Sequence, residues 1–180
     1  MKKIIILLIF LLGIVNISNA NDQIIGSIGL AVGIVKNQNG NVLKPGDPIY
    51  FGDKITVENK SKSQILLLDE TVLTLGQKST ITIDDFVYDP STNNGKILTN
   101  VIAGSVKVLS GKISQGDPED LIVKTPAGTI GTRGTEFQTI VDEDESKVLL
   151  IGPGEDNTLG LRAGSVEVFN DLGSVTLDNP

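Results

Sequence analysis

The stretch IVKTPAGTIGTRGTEF, Ile122 to Phe137, gathers the residue types from which a binding site is made: three glycines at three-residue spacing, several hydroxyls and one arginine. Glycine-rich turns cradle phosphates where they open a helix. Gly128, Gly131 and Gly134 do not follow the GxGxxG order of a dinucleotide site, and no Lys with Ser or Thr follows them as in a P-loop. What remains is conformational and electrostatic. Thr125 and Pro126 end a strand, because Pro offers no donor to a ladder. The glycines supply positive φ or room for close approach, so the chain is expected to turn sharply between Pro126 and Gly134. Arg133 carries a planar fork suited to backbone carbonyls or a carboxylate, with Glu136 its candidate partner. Past Thr135, Phe137 anchors the next strand in the core. The segment reads first as a structural clamp and second as an interface.

Other chemistry is sparse. The 180 residues contain no histidine and no cysteine. That removes the commonest general base, the commonest zinc ligand, the Ser-His type of triad and all thiol chemistry. A carboxylate pair for glycoside hydrolysis would need Asp84 to meet Asp117 or Glu119, and nothing in the spacing brings them together. The acidic turn Asp142 to Glu145 offers oxygen ligands for calcium, as does Glu155 to Asn157 within GPGEDNTLG, but solvated hairpin tips have the same composition. The expectation is no catalysis, no metal and no cofactor. An ion- or glycan-binding β module is the alternative, weakened for sugars by few aromatics and no Trp.

These residues must be positioned by strands. Runs rich in Val, Ile, Leu and Thr alternate with clusters of Gly, Asn, Asp and Pro, the pattern of an all-β chain. Strands are expected at Ile28–Lys36, Lys54–Val57, Ser63–Leu68, Thr71–Leu75, Ser79–Val87, Lys96–Leu109, Leu121–Lys124, Glu136–Val141, Lys147–Ile151, Ser165–Phe169 and Ser174–Leu177. Turns fall at Asn39–Gly40, Pro45–Asp47 and Asp89–Gly95. Ile65–Leu68 and Val72–Leu75, joined at Asp69 and Glu70, form an apolar hairpin expected to be buried on both faces at the centre of the core. AGSVKV at Ala103–Val108 returns as AGSVEV at Ala163–Val168, which suits stacked, similar strand layers or chance recurrence.

The first twenty residues stand apart. Lys2 and Lys3 precede an apolar run from Ile4 to Val15, and Ser18, Asn19 and Ala20 place small residues where signal peptidase cuts. The run is shorter than the roughly 20 residues of a spanning helix. Residues 1–20 are therefore expected to be a cleaved signal peptide, and residues 21–180 a single exported β domain without a stable membrane anchor. Losing the two lysines takes the net charge from −7 to −9. No basic cluster survives for nucleic acid.

VKTPAGTIGTRGTEF resembles the signature of the FecR domain family, a strand ending in TP followed by a Gly-rich turn and RGTxF. Upstream, PGDPIYFGDKITVENKSKSQILLLDETVLTLGQKSTITI is similar to that family's GD turn and its hairpin of the form L-D-x-T-x-L. Downstream, GSVEV near Ser165 resembles its closing strands. The resemblance covers most of residues 30 to 177. It implies an extracytoplasmic, mainly β domain for protein–protein signalling or envelope interactions, best known in regulators relaying a receptor's state to an anti-sigma mechanism. No cytoplasmic helical segment precedes the apolar run, so the chain is closer to free-standing secreted or periplasmic members. The implied partner is another envelope protein, recognised at a surface or strand edge, with Lys107, Lys112 and Glu167 guarding edges against unintended pairing. The expected architecture is a short-stranded β-solenoid-like domain or a β-sandwich, with the resemblance favouring the solenoid.

Overall fold

The computed structural model describes residues 23–115, 117, 119–143, 145–153, 163–178 and 180. The expected signal segment and the Glu155–Asn157 loop lie outside the described residues. Among the described residues fourteen strands hydrogen-bond into one continuous mixed sheet, which folds into two layers around a shared core. The first layer runs β3 (Pro48–Tyr50), β1 (Ile24–Val32), β5 (Lys62–Leu67), β6 (Val72–Leu75), the end of β8 (Asn94–Leu109), β11 (Glu136–Asp142) and β12 (Glu145–Gly152). The second runs β2 (Val35–Lys36), β4 (Lys54–Val57), β7 (Thr80–Asp89), the start of β8, β9 (Leu121–Thr125), β10 (Gly128–Arg133), β13 (Ser165–Asn170) and β14 (Gly173–Leu177).

The layers meet in β8. Ala103 still pairs with Thr80 of β7, whereas Gly104 pairs with Val141 of β11. Gly104 has φ +88°, and a Cβ there would lie 2.5 Å from the Cα of Ser79. Only glycine lets the strand bend into the other layer at that point, the device by which sandwich corners are turned. The result is sandwich-like, with antiparallel neighbours throughout except β8 with β9, so the solenoid form is not the one adopted.

Alternation supplies the core. Ser63, Ile65 and Leu67 of β5 face inward, and Ile65 stands opposite the equally buried Leu73. Each such buried aliphatic contributes about 1.5–3 kcal/mol relative to exposure. The same cluster takes Ile55, Ile81, Ile83, Ile97, Val101 and Val123 from the second layer. The central hairpin is therefore in the core, but Leu66 and Leu68 are 44% and 55% exposed, so it is buried on one face only.

The turns follow their chemistry. The Asn37 side chain accepts hydrogen bonds from the amides of Asn39 and Asn41, and Gly40 takes φ +77°. Asp47 accepts from the Lys44 amide around Gly46. Two strands escape the sequence reading: β3, three residues opened by Pro48, and β10, which occupies most of the stretch expected to be a turn. The expected Ile28–Lys36 strand divides at Gly33, φ +77°. Lys107, Lys112 and Glu167 do not guard edges. Lys107 lies within β8, Lys112 follows it, and Glu167 lies in β13 between β10 and β14. The two AGSV segments sit in different layers and do not pair, so they are not stacked repeats.

Candidate functional site

The Gly-rich motif is a tight hairpin followed by a crossing. Thr125 pairs with Gly128, leaving Pro126 and Ala127 as the turn. The Thr125 hydroxyl donates to the Gly128 carbonyl at 3.0 Å and accepts from its amide at 3.2 Å. It also accepts from the Ser146 hydroxyl at 2.9 Å, tying the hairpin to β12 of the first layer. β10 then lies between β9 and β13, with Ile130 and Thr132 buried and Gly131 opposite Glu167. A Cβ on Gly128 would sit 2.9 Å from the Phe169 carbonyl oxygen, so close strand approach explains this glycine. Gly134, φ +57°, turns the chain out of the second layer. Glu136 and Phe137 open β11 in the first layer, with Phe137 wholly buried.

Around that crossing the main chain is fastened at several points. The Gly134 amide donates to the Ser114 carbonyl at 2.9 Å, and the Ser110 amide to the Thr135 carbonyl at 3.0 Å. The buried Thr135 hydroxyl donates to the Gly152 carbonyl at 2.7 Å. Gly164 packs on the same threonine, where an added Cβ would come within 2.3 Å of the Thr135 Cβ. Behind them lies the tip of the apolar hairpin. The fully buried Asp69 carboxylate accepts from the Thr71 hydroxyl at 2.7 Å and from the Thr71 amide at 3.1 Å. The Thr71 hydroxyl in turn accepts from the Gly111 amide at 3.0 Å. Gly111 admits no side chain, since a Cβ would lie 2.3 Å from the Asp69 carbonyl oxygen. Outside, Lys112 Nζ donates to Glu70 at 2.6 Å, and that carboxylate holds the ammonium above its ordinary lysine value.

Between these fastened segments opens a cleft of about 700 Å³ lined by Leu109, Ser110, Arg133, Glu136, Ile151 and Pro153 among others. Its two charges are treated differently. Glu136 accepts from Lys107 Nζ at 2.7 Å, so the partner expected for Arg133 is already held elsewhere. Among the described residues Arg133 forms no ion pair, and its buried Nε has no hydrogen-bond partner. The Ser110 hydroxyl, on the same cleft, is also buried without one.

The expected site residues are thus brought together, with Thr125 to Gly131 forming the hairpin and Arg133 to Phe137 the crossing beside the cleft. Sequence reasoning missed the roles of Gly164, which packs on the crossing, and of Asp69, Thr71 and Gly111, which fasten the segment bonded to it. The L-D-x-T pattern was the available signal, since a carboxylate two residues before a threonine forms a local Asx turn. Asp142, Glu143 and Glu145 are exposed, and among the described residues no three acidic side chains gather closely enough to hold a metal ion. Asp84 is exposed on β7, while Asp117 accepts from the Glu119 amide within its own turn.

A family model described as FecR protein matches residues 53–152, more than half of the chain. The match runs from β4 to the end of β12 and contains the apolar hairpin, the whole of β8 and the crossing. No curated protein matches the chain.

Proposed function

The chain belongs to the FecR family, and on that premise we propose that it works as an extracytoplasmic, non-catalytic interaction and signalling module that binds another protein of the cell envelope. Export is supported by Lys2 and Lys3 ahead of the apolar run and by the small residues to Ala20. A non-catalytic role is supported by the lack of histidine and cysteine and by the acidic side chains of the site being engaged, Asp69 in its turn and Glu136 with Lys107. The observation that carries the reading is the cleft beside the crossing, whose negative charge is paired and whose arginine, among the described residues, is not. A buried Nε donor that finds no acceptor among the described residues favours a group from outside that supplies one.

The test is site-directed photocrosslinking of the mature protein in the intact envelope of its native cells. A photoreactive side chain at Ile151, on the cleft, should capture a discrete envelope protein. The same group at the exposed Lys60 turn should not. Arg133→Ala at a matched folded level should abolish the Ile151 adduct. Identical adduct patterns from Ile151 and Lys60, or an Ile151 adduct indifferent to Arg133→Ala, would remove the proposal.

A further inference from the structure

We infer that the cleft recognises a carboxylate carried by an extended segment of the partner, laid along the free edge of β12. The inference rests on the interaction-module reading and names what that module would bind. Three observations lead to it. Among the described residues Arg133 is the cleft charge left without a counter-charge, since Glu136 is bound to Lys107 at 2.7 Å and no described carboxylate pairs with the arginine. The group that best satisfies a planar guanidinium is a carboxylate, which accepts two parallel hydrogen bonds. Among the described residues β12 pairs only with β11, so no described strand takes the main-chain donors and acceptors on its other side. Finally, Ile151 and Gly152 of that edge strand line the cleft themselves.

Edge and cleft are therefore continuous. A strand added to β12 passes the cleft mouth, and alternate side chains of such a strand point the same way, so one enters while its neighbours do not. Leu109 and Ile151, 47% and 40% exposed, border the cleft and offer apolar contact to the side chains flanking the acid. A volume of about 700 Å³ lies within the roughly 300–1,000 Å³ of pockets that enclose a ligand group. β12 carries its own charges at the far end, Glu145 and Lys147, 3.6 Å apart, so that end discourages pairing while the cleft end does not.

The experiment compares two soluble libraries of acetylated, amidated heptapeptides, randomised among Val, Thr, Leu and Ser at six positions. The central position is Glu in one library and Gln in the other. Retention is measured on immobilised mature protein at low salt. The Glu library should be retained about tenfold more than the Gln library, as expected for a charge-assisted pair against a neutral one. Arg133→Gln should bring the two together, and Arg133→Lys should recover only part of the preference. Ile151→Glu, which leaves Arg133 in place, should lower retention of the Glu library by repulsion. Equal retention of the two libraries by the wild type, or retention of neither, overturns the inference, and neither reading depends on a variant that folds. An Ile151 photoadduct that needs Arg133, together with equal libraries, would leave the interaction module standing and remove only the carboxylate. Loss of the photoadduct would remove the module itself.

Discussion

AGSVKV at Ala103–Val108 and AGSVEV at Ala163–Val168 are nearly the same peptide placed in two different surroundings. In both, the glycine lets the main chain press on a buried hydroxyl residue, Ser79 for Gly104 and Thr135 for Gly164. In both, the first valine is wholly buried and the charge that follows faces outward. The backbones differ. Gly104 stands inside a strand at φ +88° and carries that strand from one layer to the other, while Gly164 precedes its strand and has no positive φ. The first copy is flanked by β6 and β11, the second by β10 and the edge strand β14. Local sequence thus decides which side chains point inward, and the surrounding layers decide what the glycine is for.

The largest expected effect separates the two glycines. Gly104→Ala combines left-handed backbone strain with a contact against main chain, and should cost about 3 kcal/mol or more in urea unfolding. Gly164→Ala meets only the packing penalty of about 1–3 kcal/mol. Equal losses would break the comparison. The hydroxyls should follow in the same order. The Ser79 hydroxyl donates to the Ser105 carbonyl and accepts from its amide, both at 3.0 Å, so Ser79→Ala should cost about 2 kcal/mol by leaving the Ser105 amide without its acceptor and the carbonyl with the Gly76 amide alone. The Thr135 hydroxyl satisfies one carbonyl, so Thr135→Val should cost about 1 kcal/mol in the same assay.

The smallest effect concerns the hairpin adjoining each copy. The β7–β8 turn is capped by Asp89, whose carboxylate is held below its ordinary value by the Ser91 hydroxyl and amide and by the Thr92 hydroxyl. The β13–β14 turn is capped by the neutral Asn170, which accepts from the Leu172 amide at 2.9 Å. A depressed carboxyl contributes order that is complete above its unfolded value near 3.8 and is lost as pH falls through the lower folded value. In an NMR titration the Ser91 and Thr92 amides should move in that acidic window and the Leu172 amide should not. Matching movement at both turns would place the titrating group elsewhere.

Much of this was legible in the sequence. The apolar runs placed most strands, the Asn-Gly and Pro-Gly-Asp signals placed their turns, and the TP and RGTEF pattern marked the crossing. β10 was not legible because GTIGTR breaks its own alternation with glycines, and Gly128 serves close approach to the neighbouring strand. β3 was too short, and Pro48 argued against it. The run Ile65–Leu68 has no polar residue to mark an outer face, so its one-sided burial depended on which surfaces the second layer covers. The cleft was illegible because it depends on Lys107 claiming Glu136 across 29 residues of chain, a pairing fixed by register and absent from any local pattern.

β8 has a consequence for how the molecule comes apart. Its start is flanked by β7 and β9 and its end by β6 and β11, so one strand is an interior member of both layers. Thermal opening cannot free either layer without stripping this common spine, and whatever exposes the spine on one side removes the template for the other. The two layers therefore share a single cooperative unit, with fraying confined to the rims at β2, β3, β12 and β14. An edge that loosens without endangering the centre is the place where a molecule of this plan can exchange one neighbour for another.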